Sequence, residues 1–224
     1  MLTLTVWVRE DRKMTMSKYR RVCARVAGVL LILGGVPSAG GQLFSVASAA
    51  VLYGLPYALC LFATAVLKIV ALLYLGWQLV TLAEERWAAG FICYAVAMLA
   101  GVGRMAWQMA IAEVPFSLFG GIVFFIRLLL PLLWGLMLAA LFGGIWDFPR
   151  IFRWLLPILP GAFVAVSLAA DAVSCLQSWR AISALGSTPD AYLYFAGTGL
   201  QLFYLLCAGT AFVLVGVVGR EECL

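Results

Sequence analysis

Few side chains in this sequence have the chemistry for a site, and those few interrupt long apolar stretches. Lys68, Arg104, Arg127 and Asp171 are ionisable residues set deep among hydrophobic neighbours, with Gln108 at helical spacing from Arg104 and Gln201 on a further apolar segment. A charge in hydrocarbon is costly unless it has a partner, a wet cavity or a functional task. Three cations against one deep carboxylate form a positive pocket in low dielectric. Such a pocket favours an anionic ligand: a carboxylate, a phosphate or a lipid headgroup. Lys68, Arg104, Gln108, Arg127, Asp171 and Gln201 are therefore the candidate ligand-binding set. The competing reading is a structural polar core. In it Arg104 and Asp171, at similar depth, pair and hold helix register, while Lys68 extends its stem toward an interface or a helix carbonyl.

Catalytic chemistry finds little support in these letters. There is no histidine, so no serine or cysteine has a histidine base. Aspartyl intramembrane proteolysis needs two deep carboxylates, and Asp171 stands alone. The glycine-rich, GxSxG and HExxH patterns are missing. Cys23, Cys60, Cys93, Cys175, Cys207 and Cys223 form no close pair, which argues against a zinc site or a thiol relay. The expectation is a protein without catalytic residues, cofactor or metal.

The elements that position these residues follow from composition. The chain has 224 residues, of which 65% are hydrophobic and 11% charged. An ordinary soluble domain is about half apolar and about a quarter charged, so the apolar excess here belongs against lipid. The net charge of +5 does not point to nucleic acid, because seven of the 15 basic residues precede Val26. That bias is a topological signal. The expected fold is all-α: a polytopic helical membrane protein with about six transmembrane helices and cytoplasmic N- and C-termini. Spans are expected near 20–38, 54–83, 88–111, 116–143, 152–176 and 192–218. A basic segment at 1–19 precedes the 20–218 membrane domain, and a short tail at 219–224 follows it. Within the first segment, MSKYRR from Met16 reads as an alternative start. Val26–Val36 followed by PSAGG also has the form of a secretory signal, but its apolar continuation to Tyr53 favours an uncleaved first span.

Loop charge decides the count. With six spans, Arg86, Arg150, Arg153 and Arg220 join the basic N-terminal segment on the cytoplasmic side. Three spans before Ala83 would turn all four outward. Trp87, Trp146 and Trp154 then fall at the inner boundary, and Trp107 and Trp179 near the outer one, as an aromatic belt. The loop WDFPRIFRW, with Asp147, Arg150 and Arg153, is a candidate docking loop for a cytoplasmic partner or else a lipid-anchored turn.

Helical spacing groups the polar positions into stripes. Ala97, Gly101, Arg104 and Gln108 share one face, Ser167, Asp171, Ser174 and Ser178 another, and Thr198, Gln201 and Tyr204 a third. Backbone weak points lie close by: Pro131 cannot bond the carbonyl of Arg127, Gly101 and Gly103 loosen the turn before Arg104, and Pro157 and Pro160 disturb the fifth span. Two functions fit. One is an accessory or scaffold subunit with a buried polar core. The other is a transporter component, a permease or substrate-binding membrane subunit, with an outward-side site for an anionic solute or lipid headgroup. Expected partners are membrane lipids, other membrane subunits, a cytoplasmic ATPase and an anionic small molecule, at the cell membrane.

Overall fold

A chain in lipid must satisfy its backbone within itself, and a helix does so residue by residue. The computed structural model describes residues 18–44, 46–111, 129–145, 150–185 and 189–222, and every regular element among them is a helix. In chain order these are α1 (Lys18–Phe44), α2 (Val46–Tyr53), α3 (Leu55–Thr81), α4 (Glu84–Ile111), α5 (Leu130–Phe142), α6 (Arg150–Leu185) and α7 (Pro189–Glu222). Four of them contain stretches long and apolar enough to cross a membrane: Leu55–Thr81, Glu84–Ala110, Trp154–Val173 and Leu202–Arg220. Leu130–Phe142 is a shorter apolar helix.

The helices close into a ring. Helix α1 packs on α3 and α7, and the circuit continues from α3 to α4, α5, α6 and back to α7. The two-turn α2 is appended to α3, where Ala49, Tyr57 and Leu61 form a small cluster. At 36 and 34 residues, α6 and α7 run on as helix past the expected 152–176 and 192–218. At about 1.5 Å per residue each is roughly 50 Å long, more than the ~30 Å hydrocarbon layer.

Glycine lets the helices approach closely. A Cβ on Gly28 of α1 would sit 2.5 Å from the Gly76 carbonyl oxygen of α3. On α7, a Cβ on Gly216 would sit 2.5 Å from the Leu156 oxygen and 2.8 Å from Pro157 N, both on α6. Backbone packed on backbone leaves no room even for a methyl, a small-residue contact suited to helices in lipid.

Prolines and tryptophans act together in this bundle. Pro160 lies inside α6 and has no N–H for the carbonyl of Leu156, four residues earlier. The indole Nε1–H of Trp134, on α5, donates to that carbonyl at 2.9 Å, in a buried position. Pro131 stands near the start of α5, behind a helical Leu129 (φ −78°, ψ −36°); Arg127, whose carbonyl it cannot bond, lies outside the described residues. The α3–α4 turn repeats the device. Leu82 adopts a left-handed conformation (φ 57°), and the Ala83 N–H reaches back to the Gln78 carbonyl at 3.1 Å. This is a Schellman-type end in which leucine occupies the place glycine usually takes. The Trp87 indole donates to the same Gln78 carbonyl at 3.2 Å. Glu84 and Glu85 then open α4, where negative charge complements the helix dipole.

Trp87 is thus not part of a lipid belt. It is fully buried, edge-on to Phe142, and begins an aromatic row through Phe91, Trp134 and Phe212 to Tyr94. Trp107, Trp154 and Trp179 are exposed, while Trp146 lies outside the described residues.

Two outcomes follow from this packing. Gly216→Ala should lower thermal stability in detergent by about 1–3 kcal/mol, because backbone atoms of Leu156 and Pro157 cannot yield. Gly161→Ala, where nothing lies within 4 Å of the added Cβ, should instead gain up to about 1 kcal/mol of helix stability. Trp134→Phe should cost about 1–3 kcal/mol by orphaning the Leu156 carbonyl. Pro160→Ala restores an N–H for that carbonyl, so the cost of Trp134→Phe should shrink in its presence. Equal costs in both backgrounds, read by thermal unfolding, would exclude the proline–indole link.

Candidate functional site

Tyr57, Arg104 and Gln108 meet at the end of the bundle where α3 begins and α4 ends. Tyr57 is the third residue of α3, set behind Gly54, whose positive φ (87°) turns the chain out of α2. Antiparallel pairing of α3 and α4 brings Tyr57 opposite the last two turns of α4. There its hydroxyl donates to Gln108 Oε1 at 2.8 Å and accepts from Arg104 Nη1–H at 3.1 Å. Tyr57 is 2% exposed, while Arg104 and Gln108 are half-buried. Rings complete the surroundings: Tyr53 and Trp107 both meet the Tyr57 ring edge-on, at centroid distances of 5.0 and 6.1 Å.

Arg104 and Gln108 therefore share one stripe and one partner, as their spacing implies, but the partner comes from α3. The expected Arg104–Asp171 clamp is not what Arg104 makes. Helix α5 stands between α4 and α6 in the ring, and Arg104 bonds the Tyr57 phenol instead. Asp171 is half-buried on α6, one helical turn beyond the buried Ser167. Gln201 lies on α7, and Arg150 and Arg153 lie in the first turn of α6. Arg127 and Asp147 fall outside the described residues. The helix α4 runs without a break through Gly101 and Gly103.

Lys68 stands at the midpoint of α3. Its Nζ lies 4.3 Å from the centroid of the Tyr204 ring on α7, a cation–π contact. The face of a phenol ring attracts a cation without contributing a formal charge. Lys68 extends neither to an interface nor to a helix carbonyl; its contact is aromatic. Tyr204 is itself buried beside the aromatic row.

Two polar residues, one at this centre and one at the opposite end of α3, escape a reading by charge alone. Tyr57 carries the hub and is signalled only by an i, i+4 pair with Tyr53 at the start of an apolar run. Gln78 is 3% exposed, and its side-chain amide finds no hydrogen-bond partner among the described residues. Its carbonyl is the acceptor used by Trp87 and the turn. At the far end of the bundle Arg220 of α7 lies 3.5 Å over the Trp154 ring of α6, joining those helices through a second cation–π contact. Between α5, α6 and α7 runs a wholly apolar crevice lined by Pro131, Trp134, Pro160, Phe163 and Phe212, which offers nothing to bind a charge. Among the described residues no cluster of His, Cys, Asp or Glu could hold a metal ion.

No protein-family model matches the chain, and neither curated proteins nor solved structures match it.

The hub makes its own prediction. Tyr57→Phe should destabilise the bundle by about 1–2 kcal/mol, leaving Gln108 and Arg104 without their common hydroxyl. Arg104→Gln should cost less in the Tyr57→Phe background than in wild type. A coupling below about 0.5 kcal/mol, measured by thermal unfolding, would mean that the three groups do not act as a unit.

Proposed function

We propose that this chain is a multi-pass protein of the cell membrane with six spans and both ends cytoplasmic. In this reading it serves as an accessory or scaffold subunit whose polar groups hold its own helices together. The observation that carries this reading is that Lys68 and Arg104, the two intramembrane cations among the described residues, are each held by a tyrosine of the same bundle. Lys68 is met by the ring of Tyr204 and Arg104 by the hydroxyl of Tyr57, in both cases from a neighbouring part of the same bundle. The centre of the ring is filled by Trp134, Tyr94, Phe91 and Phe212, where a permease would need a wet path between helices. The basic residues Lys18, Arg25 and Arg86 are exposed at one end, in keeping with a cytoplasmic face. That face also offers the place at which another subunit would dock.

Lys68→Met separates the structural role from a transport role. Lys68 is half-buried, and replacing such a cation with an apolar side chain of similar length is often neutral or stabilising when the charge has no task. The expected result is a folded protein whose melting temperature equals or exceeds that of wild type. Purified wild type in liposomes should release trapped carboxylates or phosphate no faster than empty liposomes. A flux in wild type that Lys68→Met abolishes while leaving the melting temperature unchanged would overturn the scaffold reading in favour of transport.

A further inference from the structure

We infer that Arg104, braced by Tyr57 and Gln108, is a binding site for the phosphate group of an anionic phospholipid in the leaflet at the Gly54 end of the bundle. The inference rests on the membrane setting and not on the scaffold role. A guanidinium has five N–H donors in a planar fork. Among the described residues Arg104 makes one hydrogen bond, to the Tyr57 hydroxyl. That hydroxyl has already given its hydrogen to Gln108, so toward Arg104 it acts only as an acceptor and fixes the direction of the fork. Among the described residues the rest of the fork meets no acceptor, and we assign it to one from the leaflet.

Among the described residues no carboxylate is shown beside it; Glu113, nine residues on, lies outside them, and Asp190 is in the first turn of α7. Helices α1, α2, α3 and α5 contain no Asp or Glu, and those of α4, Glu84 and Glu85, stand at its opposite end. Asp171 lies on α6, beyond α5 in the ring. Tyr57 is hydrogen-bonded on both sides but brings no charge to set against the half-buried guanidinium. An arginine in that state is matched best by a carboxylate or phosphate, which can take two parallel hydrogen bonds.

The location chooses between a lipid and a free solute. Tyr57 is in the first turn of α3, and Arg104 lies six residues inside the end of the Glu84–Ala110 stretch, about 9 Å along the helix, so the fork is in the outer part of the apolar layer within reach of a lipid headgroup. Trp107, on the same part of α4, is 40% exposed, as an interfacial anchor is. A Cβ on Gly101 or Gly103 would meet nothing within 4 Å, so the flank beside Arg104 is open. Gly103 and Trp107 face outward from the bundle, toward lipid. A phosphodiester reaching this flank from the leaflet needs no channel through the protein.

The test uses the full chain in nanodiscs containing phosphatidylcholine with or without phosphatidylglycerol, and native mass spectrometry to count retained lipids. Wild type should retain phosphatidylglycerol above its share of the bilayer. The basic end with Lys18 and Arg25 attracts anionic lipid too, so the deciding quantity is the change on substitution. Arg104→Gln should lower the preference about fivefold, the effect of one arginine at a membrane surface. Arg104→Lys, which keeps the charge and loses the fork, should fall between. Inorganic phosphate added to phosphatidylcholine nanodiscs should not raise the melting temperature. In wild type, a photoreactive phosphatidylglycerol should crosslink to the stretch between Gly101 and Gln108, a readout independent of how the variants fold. The site is overturned by an unchanged preference in Arg104→Gln, by no preference in wild type, or by crosslinks confined to the basic end. Stabilisation by phosphate alone would overturn the lipid assignment and leave a free-anion site in its place.

Discussion

A backbone carbonyl that loses its helical partner inside an apolar bundle has no water to turn to, and the carbonyl of Leu156 is in that position. Pro160 takes away its N–H, and the Trp134 indole supplies another from α5. That one bond sets how α5 lies against α6. It also sets the plane of an indole that packs on Phe91 and Phe212. Gly216 lets α7 press directly on the same turn of α6, so three helices meet where the helical ladder is interrupted. The aromatic row that fills the ring is registered from this point. A proline that would weaken an isolated helix becomes, with its indole, the joint between three.

Half of such a joint can be read from a sequence. The position of Pro160 identifies Leu156 as the residue whose carbonyl is released, by a rule that counts four residues back. Nothing in one dimension says that Trp134 will answer it. Trp87 illustrates the same limit from the other side. A tryptophan at the end of an apolar segment next to charges reads as an interfacial anchor, yet here it is wholly buried and bonded to the Gln78 carbonyl. Interface and core ask the same thing of an indole, an apolar body and one satisfied N–H. Which of them it occupies depends on a neighbouring helix.

The hairpin of α3 and α4 was open to a closer reading than charge counting allows. Tyr57 stands as far before the Leu82–Ala83 turn as Gln108 stands after it, and the same is true of Gln78 and Trp87. Both pairs are in contact. A tight turn between two antiparallel helices fixes which residues lie level, so the partners of Arg104 could be sought on α3 once that turn was located. Its place was hidden because leucine occupies the left-handed position, where glycine would have marked it. The depth of Lys68 and Arg104 and the shared stripe of Arg104 and Gln108 were legible from spacing alone. Their partners were not, because tyrosine is a neutral residue that hydropathy places among the apolar ones.

That neutrality has a consequence for charge. Tyr204 and Tyr57 satisfy the geometry of Lys68 and Arg104 without cancelling their charge. The two cations are not equivalent, because hydrocarbon penalises charge most at its centre and least at its boundary. Lys68, at the midpoint of α3, presents a compact ammonium to the face of a buried ring, and that face is what the low-dielectric interior offers it. Arg104, near a helix end, spends one N–H on holding its position and faces an open flank beside an exposed tryptophan. The same kind of partner thus produces opposite results. At the centre it holds a half-buried charge against the bundle; nearer the boundary it fixes the direction of one beside an open flank, from which the proposed lipid phosphate would approach.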